Sequence, residues 1–266
     1  MFVRENGPAG APAILFLHGN GASGGMWQYH AEHLRDFHCL APDLPGFGRS
    51  NAEPWTTLED AADELATLIA AKASGGRAHI VGLSLGGATA ITLLSRHPDR
   101  VDHAIIDGAA VKVSSVAAMK FGISLVSPFL RFEPVIRFLA RTIGVPADGY
   151  PAFRDDLRAA SPRAFSHAFG QALELSCPAN LARLRNPTLL VAGGKELHST
   201  HEGIRRMEAL MPQAYAAIVP GYGHGWVGAA TALHCQMVRA WVGDGPLPAE
   251  LHPLPPAAEP VPAQSF

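Results

Sequence analysis

Six short apolar runs, each halted by turn-forming residues, restrict this chain more than any other feature. They are AILFLHG (13–19), HCLAPD (38–43), HIVGLS (79–84), HAIIDG (103–108), TLLVAG (188–193) and AAIVPG (216–221). The runs are apolar almost throughout instead of alternating, the pattern of strands covered on both faces. Helical patterns separate several of them. In TTLEDAADELATLIAAKA (56–73), Leu58, Ala61, Ala62, Leu65, Leu68 and Ile69 form one stripe, and Thr57 with Asp60 offers a capping-box start. Strands alternating with helices imply an α/β fold: a mainly parallel central sheet flanked by helices, with its ligand site at the carboxyl ends of the strands.

The alternation stops from about residue 111 to 185, where a helical, phenylalanine-bearing segment is punctuated by prolines. This divides the chain into a core of 1–110 and 186–243, an inserted helical cap of 111–185, and a proline-rich tail of 244–266 expected to be flexible. A chain of 266 residues, 48% hydrophobic, can bury one sizeable α/β core. Residues 112–185 carry ten Lys and Arg against five Asp and Glu, so the cap is +5 and the remainder −7 of a total of −2. Those arginines read either as solvated helix faces or as a cap that attracts anionic groups.

The overall charge leaves no footprint for nucleic acid. Cys39, Cys177 and Cys235 form neither a disulfide framework nor a zinc pattern, and reduced thiols in a cytoplasmic protein are the plain expectation. The first residues lack a signal-peptide core, and no apolar run reaches membrane-spanning length.

GLSLG (82–86) follows an apolar strand and precedes the helical pattern GGATAITLLSRHP. A serine at a tight strand-to-helix turn stands out from the sheet edge, and glycines two places either side are needed where backbone packs against backbone. Taken alone, Ser84 reads as well as a helix cap as a nucleophile. FLHGNGASGGMW (16–27) supplies a glycine-rich loop without a phosphate-binding lysine, able to aim the Asn20 N–H at the position where charge develops, as the Leu85 N–H does from the helix start. A serine nucleophile needs a base and a group that orients the base. His224 in PGYGHGW (220–226) and Glu196 in LLVAGGKELHST (189–200) both follow strand ends. HSTH (198–201), overlapping the end of that stretch, matches no zinc spacing and reads as a polar loop.

With His-Gly at 18–19, DLPGFGRS at 43–50, GLSLG at 82–86, HPDRV at 97–101, the strand and acid at 188–196 and GHGW at 223–226, the chain resembles the α/β-hydrolase family, its serine-nucleophile, esterase-like members in particular, over about residues 11–243. The resemblance implies Ser84 as nucleophile, His224 as general base and later acid, Glu196 as orienting carboxylate, the N–H groups of Asn20 and Leu85 as oxyanion hole, and no cofactor. Relatives more often carry aspartate at the position of Glu196, and Asp107 is an alternative acid because some place the carboxylate on that earlier strand. The front looks shortened, with about a dozen residues before the first apolar run.

The implied activity is cleavage of esters of small, largely apolar substrates through an acyl-enzyme. Met26, Trp27, Phe47, Phe121 and Trp226 are the expected pocket lining, with most aromatic side chains readable equally as core. Carbon–carbon bond hydrolases, lactonases and perhydrolases share the same serine constellation, and a slow-turnover ligand-binding or signalling protein can keep the same shell.

Overall fold

The computed structural model describes residues 1–109, 111 and 116–256. The apolar runs form strands β2 (Ala13–Leu17), β3 (His38–Pro42), β4 (Ala78–Leu83), β5 (Val101–Asp107), β6 (Thr188–Gly193) and β7 (Ala214–Val219), with β1 (Val3–Asn6) and β8 (His252–Pro253) at the ends of the chain. The sheet order is β1-β3-β2-β4-β5-β6-β7-β8. The six inner strands pair in parallel, whereas β1 on β3 and β8 on β7 are antiparallel. Every residue of β2, β4 and β6 is buried, as strands covered on both faces must be. Strand β1 is an antiparallel edge strand of the sheet.

The ten helices of the described residues are α1 (Gln28–His33), α2 (Leu58–Lys72), α3 (Leu85–Arg96), α4 (Val116–Val126), α5 (Glu133–Ile143), α6 (Tyr150–Ala159), α7 (Pro162–Glu174), α8 (His198–Leu210), α9 (Trp226–Ala229) and α10 (Thr231–Val242). Helix α2 starts where its sequence asks: the Thr57 side chain accepts from the Asp60 N–H at 3.0 Å. Leu58, Ala61, Ala62, Leu65 and Ile69 face the core, each large aliphatic side chain contributing about 1.5–3 kcal/mol on burial. Helix α3 is buried from Leu85 to Leu94 on every side and sits against the centre of the sheet. One apolar cluster on that face includes Leu15, Ile80, Leu93 and Ile106; a second on the opposite face includes Phe16, Val81, Ile105 and Trp226.

Helices α4 to α7 all lie between β5 and β6 in the chain; residues 112–115 of the helical cap expected at 111–185 lie outside the described residues. The expectation of a flexible tail over 244–266 needs correcting in part. Residues 252 and 253 pair with Ile218 and Ala217, the Leu254 N–H donates to the Ala216 carbonyl at 3.0 Å, and Leu251 is buried. An edge strand needs only half of its backbone groups paired, so prolines are tolerated there, and the leucines between them supply apolar anchors. Residues 257–266 of that tail lie outside the described residues.

Candidate active site

Ser84 occupies the step from β4 to α3 with φ 56° and ψ −111°, a backbone conformation that L-residues rarely adopt. Its N–H donates to the Asp107 carbonyl at 2.8 Å and its own carbonyl opens α3 by accepting from Ala88 at 2.9 Å. The neighbouring glycines are steric necessities. A Cβ on Gly82 would fall 2.3 Å from the Gly86 carbonyl oxygen, and one on Gly86 would fall 2.2 Å from that of Leu17. The close approach that the sequence requires is therefore helix α3 against its own strand and against the end of β2.

Two neighbouring loops are locked to each other by polar side chains without any exposure. His18 accepts from the Leu44 N–H through Nε2 at 2.9 Å and faces the Gly19 carbonyl with Nδ1 at 2.9 Å, which fixes the proton on Nδ1. Burial pushes its pKa down to about 4, so it is a neutral strut. Asp43 pairs with Arg4 and accepts from the N–H groups of Gly24 and Arg49 at 2.8 and 2.7 Å. The HG and DLPGFGRS stretches thereby hold each other and the loop that carries Asn20. The Asn20 side-chain amide donates to the Phe165 carbonyl on α7 at 3.1 Å, tying the same loop to the inserted helices. Leu85 is the first residue of α3, where helix N–H groups lack intrahelical partners.

His224 lies in the loop after β7, and its Nδ1 is 3.1 Å from Glu196 Oε2. Glu196 follows β6; its N–H donates to the Gly193 carbonyl at 3.1 Å and its side chain is only 5% exposed. Burial alone would depress the His224 pKa, but the hydrogen bond to Glu196 and the negative charge there outweigh it and raise the value. Gly108, at φ +54°, forms the floor beneath the pair: a Cβ there would stand 2.8 Å from His224 Cε1 and Nδ1 and 3.1 Å from Glu196 Oε1. Sequence reading passed over this glycine, although its place at the end of HAIIDG was visible.

Asp107 is engaged elsewhere. Its Oδ1 accepts from Trp226 Nε1 at 3.0 Å, and its Oδ2 lies 3.6 Å from His234 Nε2, too far for a good hydrogen bond. Burial pushes Asp107 well above the ordinary carboxylate range and His234 down to about 3, so burial disfavours the charged form of both of these fully buried groups. The Trp226 bond anchors the His224 loop to the end of β5.

Ser84, Gly108, Glu196 and His224 line a single cavity of about 540 Å³. Its other walls come from the ends of the inserted helices, among them Met119, Ile143, Phe169 and Leu173, and from the start of α8. None of the five aromatic and methionine residues expected to line a pocket borders it. Trp27, Phe47 and Trp226 are at most 1% exposed and fill the core on the two sheet faces; Met26 packs against the same core as Trp27. Phe121 is 72% exposed on α4 and turns outward. Large aromatic side chains bury the most area, and the sheet faces claimed them first. In HSTH, His201 Nε2 lies 3.0 Å from the Gly193 carbonyl, a structural contact at the start of α8.

A strained serine on a strand-to-helix turn, with an imidazole and its carboxylate lining the same cavity, is an arrangement capable of nucleophilic catalysis. A family model described as "Alpha/beta hydrolase family" matches residues 14–233. The chain belongs to the alpha/beta hydrolase family. Within that family, it is 30% identical over 241 residues to a pimeloyl-[acyl-carrier protein] methyl ester esterase of Chromobacterium violaceum, covering 84% of this chain and 91% of that one. An AB hydrolase superfamily protein of Gibberella zeae is 40% identical over 113 residues, but the match covers only 41% of this chain and 39% of that protein's length. A thermophilic esterase from Thermogutta terrifontis, solved with malate bound, superposes with a TM-score of 0.76 at 26% identity over 91% of this chain and 93% of that one. Among the described residues, no helix of this alpha/beta hydrolase is long and apolar enough to cross a membrane.

Proposed function

We propose that this alpha/beta hydrolase is a serine hydrolase that cleaves esters of small, largely apolar substrates in two steps through an acyl-enzyme. Ser84 Oγ attacks the ester carbonyl and passes its proton to His224 Nε2. Glu196 accepts from His224 Nδ1, which holds the ring in the required tautomer and stabilises the imidazolium as it forms. The N–H groups of Leu85 and Asn20 donate to the oxyanion. Collapse of the tetrahedral species expels the alcohol, which takes the proton from His224. Water activated by the same imidazole then releases the acid. No step asks for a cofactor.

The observation that carries the reading is the 3.1 Å Glu196–His224 pair bordering the cavity that Ser84 also lines. The apolar side chains of Met119, Ile143, Phe169 and Leu173 suit a hydrocarbon acyl or alcohol group. That the relative from Chromobacterium violaceum is named a methyl ester esterase favours an ester over other acyl bonds.

A panel of p-nitrophenyl esters of graded acyl length tests the proposal. Saturable turnover is expected, with a preference for short chains and at least about a 10³-fold loss in Ser84→Ala. Wild-type rates no higher than those of Ser84→Ala would remove the reading.

A further inference from the structure

Four cations of the inserted helices are paired in place. Lys120 meets Glu174, Arg137 and Arg158 share Glu133, and Arg154 meets Asp155. These side chains are the solvated helix faces that charge runs usually supply. Arg141 differs from them. It lies in the last turn of α5, lines the cavity that holds Ser84 and His224, and makes no ion pair among the described residues.

A second cation borders the same cavity from the sheet side. Lys195 stands between β6 and α8, its backbone pinned by a 2.7 Å bond from its N–H to the Tyr222 carbonyl, and its ammonium likewise has no carboxylate partner among the described residues. The one acid in the described cavity lining is Glu196, whose Oε2 is turned to His224. The start of α8 adds to the field. Ser199 and Thr200 of its first turn line the cavity, and that turn contains no acidic residue and no side-chain cap.

Arg141 and Lys195, both exposed, place two positive charges among the lining residues of one cavity, where an anion is attracted by both. A purely apolar ester gives them nothing to bind. A polyphosphate would call for more donors than two and for less hydrocarbon on the walls, whereas a carboxylate on a short methylene chain matches both the cations and the Met119, Ile143, Phe169 and Leu173 lining.

We propose that Arg141 and Lys195 form a subsite for a carboxylate at the far end of the ester, so that the preferred substrate is the half-ester of a small dicarboxylic acid. Turnover of such a substrate rests on the serine-hydrolase reading; binding of the carboxylate does not.

The test compares mono-p-nitrophenyl adipate with p-nitrophenyl hexanoate, which has a methyl group where the former has its carboxylate, and measures adipate binding by calorimetry. Wild type should favour the anionic ester. The anionic-to-neutral ratio of kcat/KM should fall roughly tenfold in Arg141→Gln and in Lys195→Gln, further in the double variant, and should shrink with added salt. Adipate should bind wild type at least about tenfold more tightly than the double variant.

A ratio unchanged in the double variant while both esters turn over overturns the subsite and leaves the hydrolase reading intact. Adipate binding that depends on Arg141 and Lys195, in a protein that turns over neither ester, supports the subsite and removes the hydrolase reading. No turnover combined with no such binding overturns the subsite as well.

Discussion

Replacing Glu196 by Gln keeps the shape of the side chain and removes its charge, which isolates what the carboxylate does for His224. At the 3.1 Å separation of Oε2 and Nδ1, and with an effective dielectric of about 20 for so poorly exposed a pair, the attraction between carboxylate and imidazolium is about 5 kcal/mol. The amide can still accept from Nδ1–H, so part of that is retained. A loss of about 4 kcal/mol of transition-state stabilisation corresponds to roughly 10³-fold in kcat/KM. The pH profile carries a second, independent signature. The base must be neutral to act, so in wild type the rate rises with pH through a His224 pKa raised above the ordinary value of about 6.5. Removing the negative charge of Glu196 takes away part of what raises that pKa against burial, which lowers it, so the acid limb should move to lower pH. Asp107→Asn should cost less than about tenfold and leave the limb in place, because Asn can still accept from Trp226 and burial already disfavours charge on the carboxyl it replaces. Stopped-assay kinetics on a short-chain ester from pH 5 to 9 measure both. A larger loss in Asp107→Asn than in Glu196→Gln, or an acid limb that stays fixed in Glu196→Gln, would refute the reasoning.

Gly108→Ala should drive His224 off its floor, since the added methyl group meets Cε1 and Nδ1 at 2.8 Å; kcat/KM should drop about 10²-fold with the fold retained by circular dichroism, and full activity would contradict the assigned geometry. His234, fully buried, binds no proton in the fold until about pH 3, whereas the unfolded chain binds one near 6.5. Its stabilising share is therefore complete above pH 6.5 and is lost as pH falls from there towards 3. Between pH 7 and 5, wild type should lose about 2 kcal/mol more than His234→Leu in urea unfolding; equal losses would show that His234 already takes up its proton in the folded state.

The parts of this molecule that were legible in the sequence are those where local chemistry and tertiary burial ask for the same residues. Strands β2, β4 and β6 are buried on both faces, so their apolar runs had no other use. The turn at Ser84 was legible because Gly82 and Gly86 have backbone carbonyls at the place of a side chain. The cavity lining was not. Trp27, Phe47 and Trp226 carry the composition of a pocket and the burial of a core, and sequence does not tell one from the other. Met119, Ile143, Phe169 and Leu173 reach the cavity only through how α4, α5 and α7 dock over the sheet, a tertiary register that helical periodicity does not encode. The tail misled for a related reason: proline density describes the free chain, while Leu251 and Leu254 gain cover only once the exposed edge of β7 exists.

The account stands or falls on whether Ser84 is a nucleophile activated by His224. Treating the protein with a fluorophosphonate and mapping the adduct by peptide mass spectrometry measures this directly. One adduct per chain is expected, on Ser84, forming at a rate that falls by at least about 10³-fold in His224→Ala and disappearing in Ser84→Ala. An adduct on another residue, or labelling of Ser84 at the same rate with and without His224, would contradict it.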